Sequence, residues 1–215
     1  MARRVVITGA GVISPLGDTP AQMFGALLEG RSGPSATRIF DTQGLVCHQC
    51  IEIKDFSPET YLGPKNLRPL DRTSRLLACA CQRVLEDSGW SADRLGEEDV
   101  GLVVGTMFCS LHTIAEFDRR ALLERPCYVS PMDFANTVIN AAAGQAAIWH
   151  QLRGINCTVS AGAASGLQAL AHATDLIRAG RARALLAGGV DELCFESFYG
   201  FREAGLLCEI GRAHV

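Results

Sequence analysis

The chain has no stretch of roughly 18 consecutive apolar residues, the length a membrane-spanning helix needs, so no bilayer segment is predicted. Residues 1–13 hold no long apolar core between a basic start and a small-residue cleavage site, and they do not read as a secretory leader. Its 20 basic and 23 acidic residues are scattered and sum to a net charge of −3, which removes the electrostatic basis for a nucleic acid or anionic membrane partner. Low-complexity tracts and short-period repeats are also missing. A cytoplasmic location is the default expectation.

Metal ligands at useful spacing are scarce as well. Cys47-His48-Gln49-Cys50 is the single CxxC, with no second pair or His pair to complete a zinc site, and it does not open a helix after a strand as a redox motif does. The nine cysteines are dispersed through a chain of 215 residues, too large to need disulfide staples, and Cys79, Cys81, Cys157 and Cys194 fall inside apolar runs. Buried, reduced thiols are expected.

With 48% hydrophobic residues the chain can bury a sizeable core. An apolar run predicts a first strand over Arg4 to Thr8, and Met23, Phe24, Leu27 and Leu28 fall on one face of a helix over Pro20 to Glu29. Turn-rich sequence follows from Pro34 to Pro69, with a short strand near Cys50 to Ile53. Asp71 opens a helix over Thr73 to Ser88 that Gly89 stops. Val100 to Gly105 is continuously apolar, as a parallel strand covered on both faces should be. Further helices are predicted over Ile114 to Glu124, Asn136 to Leu152 and Ser165 to Ala179, and further strands over Cys157 to Ser160 and Ala184 to Ala187. Alternating strand and helix implies an α/β fold around a mainly parallel sheet.

Two glycine motifs compete for chemistry. Gly9-Ala10-Gly11-Val12-Ile13-Ser14 is a partial match to a dinucleotide-binding turn, but Ser14 replaces the third glycine, Pro15 follows, and no acidic residue ends a second strand about 20 positions on. Ser160-Ala161-Gly162-Ala163-Ala164-Ser165-Gly166 runs from a strand through a tight turn into a helix, the shape that presents a nucleophile at a helix N-terminus. Asp191-Glu192 ends the last strand, where general acids and bases often sit in open α/β sheets, and no second carboxylate or metal-ligand set accompanies it. His150 and His172 read as core or helix-face residues.

Val5-Val6-Ile7-Thr8-Gly9, Asn140-Ala141-Ala142-Ala143-Gly144-Gln145, Leu152-Arg153-Gly154, the Ser160 to Gly166 turn and Gly188-Gly189-Val190-Asp191-Glu192 occur in the order and approximate spacing of β-ketoacyl-ACP synthases. The chain resembles the N-terminal half of that family over residues 3–208. The resemblance implies a thiolase-like α/β fold, layered helices around a mainly parallel mixed sheet, of which residues 1–208 form the first half of a doubled structure. It implies acyl carrier protein as partner, dimerisation through the strand near Cys157 to Ser160, and no metal or organic cofactor. The family's acyl-accepting cysteine matches Ala163, which has no lone pair to attack a thioester. Met107, Phe108 and His112 fall where the family lines its acyl pocket or interface, and the family pattern implies that Asp191-Glu192 is structural, satisfied by buried hydrogen bonds or ion pairs. The family's two catalytic histidines belong to the second half, so His48, His112, His150, His172 and His214 do not inherit their role.

The class implied is an acyltransferase of fatty acid or polyketide-type chain assembly, its own enzymatic competence left open by Ala163. A non-condensing partner subunit, similar to a chain-length factor and paired with itself or with an active ketosynthase, is the leading expectation. A malonyl-ACP decarboxylase and a catalytically silent homodimer are the alternatives within the family, and a dinucleotide-binding protein is the distant one. Residues 1–208 alone are expected to be poorly soluble, since half of a doubled fold exposes the face its other half covers.

Glu209-Ile210-Gly211-Arg212-Ala213-His214-Val215 breaks from this pattern. It back-translates as GAG ATC GGA AGA GCA CAC GTC, the start of a common sequencing-library adapter, so residues 209–215 are expected to be adapter read-through. Long-read resequencing of the locus is expected to replace these codons with a frame that continues past codon 208. Finding the same seven codons in the genome overturns this expectation.

Overall fold

A computed structural model describes residues 4–31, 34–45, 47–91, 95 and 99–207. The chain divides into two units, one of residues 1–11 and 57–192 and one of residues 12–56 and 193–215. The expected read-through segment lies outside the described residues.

The larger unit is built on a parallel three-stranded sheet in the order β4-β3-β5, with β3 Gly101–Gly105, β4 Asn156–Val159 and β5 Leu185–Gly189. In register, Gly105 of β3 faces Val159 of β4 on one side and Gly189 of β5 on the other. β3 is buried along its whole length, as its unbroken apolar run predicts. Successive side chains point to opposite faces, so Leu102 and Val104 pack with Leu77, Ala78, Cys81 and Leu85 and with an alanine-rich surface, Ala142 to Ala147. Val103 packs on the other face with Ala169, Ala173 and Leu176. The unit is therefore an α/β/α sandwich.

Its helices follow their sequence signals closely in places. In chain order the α-helices described over their full length are α1 Pro20–Leu28, α2 Glu59–Leu62, α3 Arg72–Ser88, α4 Leu111–Leu123, α5 Pro131–Phe134, α6 Ala141–Trp149, α7 Ser165–Arg178 and α8 Phe195–Glu203. The Asp71 carboxylate caps α3 by accepting the Ser74 N–H at 2.9 Å, and Gly89 closes it in the left-handed conformation at φ 67°. α6 begins at Ala141 and not at Asn136, because Asn136 to Asn140 are taken up by turns at the end of α5.

The first predicted strand is not formed. Residues 4–11 adopt no regular structure, Val6 and Ile7 are 70% and 89% exposed, and a cavity of about 310 Å³ lies between this segment and β5. A strand exists only through its neighbours, and among the described residues β5 pairs with β3 alone. Gly9 and Gly11 instead lodge the segment against α3, where an added Cβ would stand 2.6 Å from Ser88 and 2.7 Å from the Ala80 carbonyl.

The smaller unit carries α1, the antiparallel pair β1 Ser35–Ala36 and β2 Gln49–Cys50, and α8, an element not anticipated from sequence. The strand expected near Cys50 to Ile53 is thus shorter and shifted toward Gln49. Phe40 packs on Phe195 and Phe198, and the buried Glu52 accepts from the Thr37 hydroxyl at 2.8 Å and the Arg38 N–H at 3.0 Å. The apolar face expected for α1 stands in solvent: Phe24, Leu27 and Leu28 are exposed and Ala26 alone is buried.

Glycine decides how α7 meets the sheet. A Cβ on Gly105 would lie 2.2 Å from the Ser165 carbonyl oxygen, and one on Gly189 would lie 3.1 Å from the Gly166 Cα. Backbone rests on backbone at this end. Gly105→Ala is therefore expected to destabilise the protein by about 2 kcal/mol or more. Gly144→Ala, in α6 with open space around the added methyl, is expected to stabilise it by about 0.5–1 kcal/mol. Denaturant midpoints of the two variants check the pair.

His150 ends α6, buried, with its Nε2–H donated to the Ala78 carbonyl at 2.9 Å. Burial holds its pKa below the ordinary histidine value. The unfolded chain therefore takes up this proton first, and stability is expected to fall as pH drops below about 6.5. Thermal melts between pH 7.5 and 5.5, values spanning roughly that ordinary histidine range, should show His150→Gln losing less stability than the unaltered protein.

Candidate functional site

In open parallel sheets ligands bind beyond the carboxyl ends of the strands, and here that end gathers the turn after β4, the loop after β3 and the acid pair after β5. The turn is fixed by short polar links. Gly162 takes φ 59°, the buried Ser165 hydroxyl donates to the Gly162 carbonyl at 2.6 Å, and Ser165 Oγ accepts the Ala161 N–H at 2.9 Å. The Ala164 N–H reaches the Ala161 carbonyl at 3.3 Å and the Ser165 N–H reaches the Gly162 carbonyl at 3.1 Å. Ala163 stands exposed on this turn, one residue before Ala164, the N-cap of α7.

A thiol on that turn would feel the amide groups and dipole of the first turn of α7, which stabilise a thiolate. The alanine methyl offers nothing to ionise. Cys157 is half-buried on β4, and burial pushes the thiols of Cys79 and Cys81 up to about 12, making them poor nucleophiles at neutral pH. Of the four cysteines expected to be buried, Cys79, Cys81 and Cys194 are, and Cys157 is half-buried.

Met107 and Phe108 are half-buried in the loop after β3, anchored to the turn strand where the Thr106 N–H donates to the Val159 carbonyl at 3.0 Å. His112 is exposed in the first turn of α4, and its main-chain N–H donates to the Glu192 carboxylate at 3.2 Å. The structure thus brings the loop that carries Met107 and Phe108 to the same sheet end as Ala163, and ties His112 to the acid pair. Glu192 is 6% exposed, and burial raises its pKa above the usual carboxylate range; the His112 N–H opposes the rise and nearby Asp71 adds to it. Asp191 accepts from the Thr106 hydroxyl and from the Met107 and Phe108 N–H groups. Hydrogen bonds satisfy both members of the pair as expected, but only Glu192 is buried, whereas Asp191 is exposed. Its partners were not legible, because they lie 80 or more residues upstream.

Other sequence motifs take structural places. The Ala10 N–H of the first glycine motif donates to the Asp87 carboxylate at 2.8 Å, and both of its glycines face α3, so an acid occupies the donor that a pyrophosphate would need. In the CxxC, Cys47 is buried, and burial raises the Cys50 thiol, opposite to the lowered pKa of a redox cysteine. His48 meets the Thr42 hydroxyl at 3.1 Å, and His172 is exposed on α7. Among the described residues no group of three or more His, Cys, Asp or Glu side chains could hold a metal ion, and no helix is long and apolar enough to cross a membrane.

Comparison with known proteins accounts for this arrangement. The chain spans about half the length of the curated relatives it matches. It is 35% identical over 191 residues to the 3-oxoacyl-[acyl-carrier-protein] synthase 2 of Vibrio cholerae serotype O1, covering 88% of this chain and 46% of that protein. It is 36% identical over 193 residues to nodulation protein E of Rhizobium sp. strain N33, covering 89% and 47%. Among solved structures, the ishigamide ketosynthase/chain length factor superposes with a TM-score of 0.89 at 28% identity, over 97% of this chain and 52% of that one. The thiolase-like α/β fold anticipated from sequence is the one observed. The family model for the N-terminal domain of β-ketoacyl synthase matches residues 2–215, and the chain belongs to that family.

Proposed function

We propose that the protein acts in acyl-carrier-protein-dependent chain elongation, in fatty acid or polyketide-type assembly, as a non-condensing partner subunit that shapes an acyl site. The observation that carries this reading is Ala163 in an otherwise complete nucleophile turn. Ser165, Gly162 and the glycine seat of α7 keep the geometry that would present a thiol, while the atom that would accept an acyl group is missing. The likeness to a ketosynthase/chain length factor supports the partner role, and the name of the Vibrio relative supports acyl carrier protein as the donor.

Residues 1–208 are half of a doubled fold in this reading. Leu167 and Leu170 on α7, 74% and 44% exposed, and the bare Val6 and Ile7 support a covering second half that brings the catalytic histidines. β4, the sheet edge that leads into the turn, supports pairing with itself or with an active ketosynthase. The reaction of such a pair needs no metal or organic cofactor, and its setting is cytoplasmic.

The test uses the full-length protein and acyl-ACP. Unaltered protein is expected to take up no acyl group, whereas Ala163→Cys is acylated at residue 163 about a thousandfold faster than background, read by mass spectrometry of the 163 peptide. Acylation of the unaltered protein at any thiol, followed by condensation, overturns the proposal. Carbon dioxide release from malonyl-ACP without condensation replaces the partner role with decarboxylation.

A further inference from the structure

Thr73, in the first turn of α3, has one hydroxyl hydrogen and two acceptors within reach. It donates to the Cys109 carbonyl at 3.3 Å, and it is also in hydrogen-bond contact with the Glu192 carboxyl. All three residues are enclosed: Thr73 is 0%, Cys109 1% and Glu192 6% exposed, so water does not make good a bond that either acceptor loses. Cys109 is also where the chain turns into α4. It is held at φ 54°, a conformation that side-chain-bearing residues seldom adopt, and Ser110, the N-cap of α4, makes no side-chain capping bond.

The first turn of α4 is held from outside instead. Glu192 accepts the His112 N–H at 3.2 Å and the Asp71 carboxylate accepts the Thr113 hydroxyl at 3.2 Å, while no residue of α4 is itself buried. Two acids therefore meet at one helix end. The ionisable groups that face Glu192 are Asp71 from α3 and His112 from α4. Asp71 repels its charge and His112 attracts it, but enclosure acts most strongly and favours the protonated form.

That proton decides where the Thr73 hydrogen goes. A neutral Glu192 donates its own proton to the Thr73 oxygen, which leaves the Thr73 hydroxyl free to hold the Cys109 carbonyl. An ionised Glu192 has acceptors alone, so the Thr73 hydrogen turns to it and the Cys109 carbonyl loses this donor. We infer that Glu192, Thr73 and Cys109 form a proton switch at the entry to α4: the protonated chain locks the kink at Cys109, and loss of the proton to solvent releases it. The switch involves no atom of the Ala163 turn and stands apart from the acyl-site reading.

The experiment follows amide hydrogen exchange in the full-length protein by mass spectrometry between about pH 5 and 8, with rates corrected for intrinsic exchange, an interval that spans a carboxyl lifted above its ordinary value. A carboxyl that keeps its proton longer in the folded than in the unfolded chain favours the locked arrangement at the acid end, and the lock is lost as pH rises through the folded value. Protection of residues 109–114 is expected to fall about tenfold across that interval, what one buried hydrogen bond amounts to, while the β3 amides hold theirs. His150 does not mimic this, because its titration lowers stability toward acid, the opposite direction. Glu192→Gln, whose amide donates to Thr73 at every pH, is expected to keep the segment protected throughout, and Thr73→Val to leave it weakly protected throughout. Protection that does not change with pH in the unaltered protein, or that changes equally in Glu192→Gln, overturns the inference. If Glu192→Gln does not fold, infrared spectroscopy of the unaltered protein decides: the carbonyl band of a protonated carboxyl is expected to fade over the same pH interval as the protection, and a band that fades elsewhere overturns the switch.

Discussion

The contact on which the site depends is made by atoms that are not there. Gly105 leaves no Cβ where the Ser165 carbonyl passes, and Gly189 leaves none where Gly166 passes. The first turn of α7 can then settle directly on the ends of β3 and β5, where side chains would otherwise hold the helix away from the sheet. Everything at that end inherits its position from this approach: the turn that carries Ala163, the Thr106 amide bonded to Val159, and the Val190 amide bonded to Gly105 at 3.0 Å. Packing above and below the sheet supplies the stability, since Leu102, Val103 and Val104 are almost wholly buried. The glycines supply the placement.

The acids after β5 complete what the glycines begin. A carboxylate next to a sheet end can be stabilised by water or by amides, and Asp191 and Glu192 divide these options. Asp191 spends its lone pairs on consecutive loop amides and stays open to solvent, whereas Glu192 is enclosed and its pKa rises accordingly. The segment after β3 that they bind, residues 106–110, has little regular structure of its own, so its shape is set from the end of β5.

How much of this was legible depends on whether the cause lies nearby in the chain. α3 was readable because its cap, its apolar spacing and its stop at Gly89 are all local. β3 was readable because burial on both faces leaves an unbroken apolar run. Residues 4–8 carry the same signal, yet form no strand, because a strand is completed by a neighbour that the run itself does not encode. The apolar residues of α1 show the same limit, since amphipathic spacing states which face seeks cover and not what covers it. At the site, the turn was legible from its small residues and the acid pair from its place after Gly188-Gly189. The loop donors that Asp191 binds were not, because no periodicity links residues 106–108 to residue 191.

Replacing a nucleophile by alanine in this setting removes less than it suggests. Ala163 is exposed on a turn held by Ser165, Gly162 and the glycine seat, none of which involves the side chain at 163. The fold therefore places no demand for cysteine there, and its loss leaves the amide groups and helix field of α7 in position. The shape of the turn is thus independent of the chemistry at residue 163: the hydrogen bonds and glycines that hold it would serve a cysteine or an alanine alike.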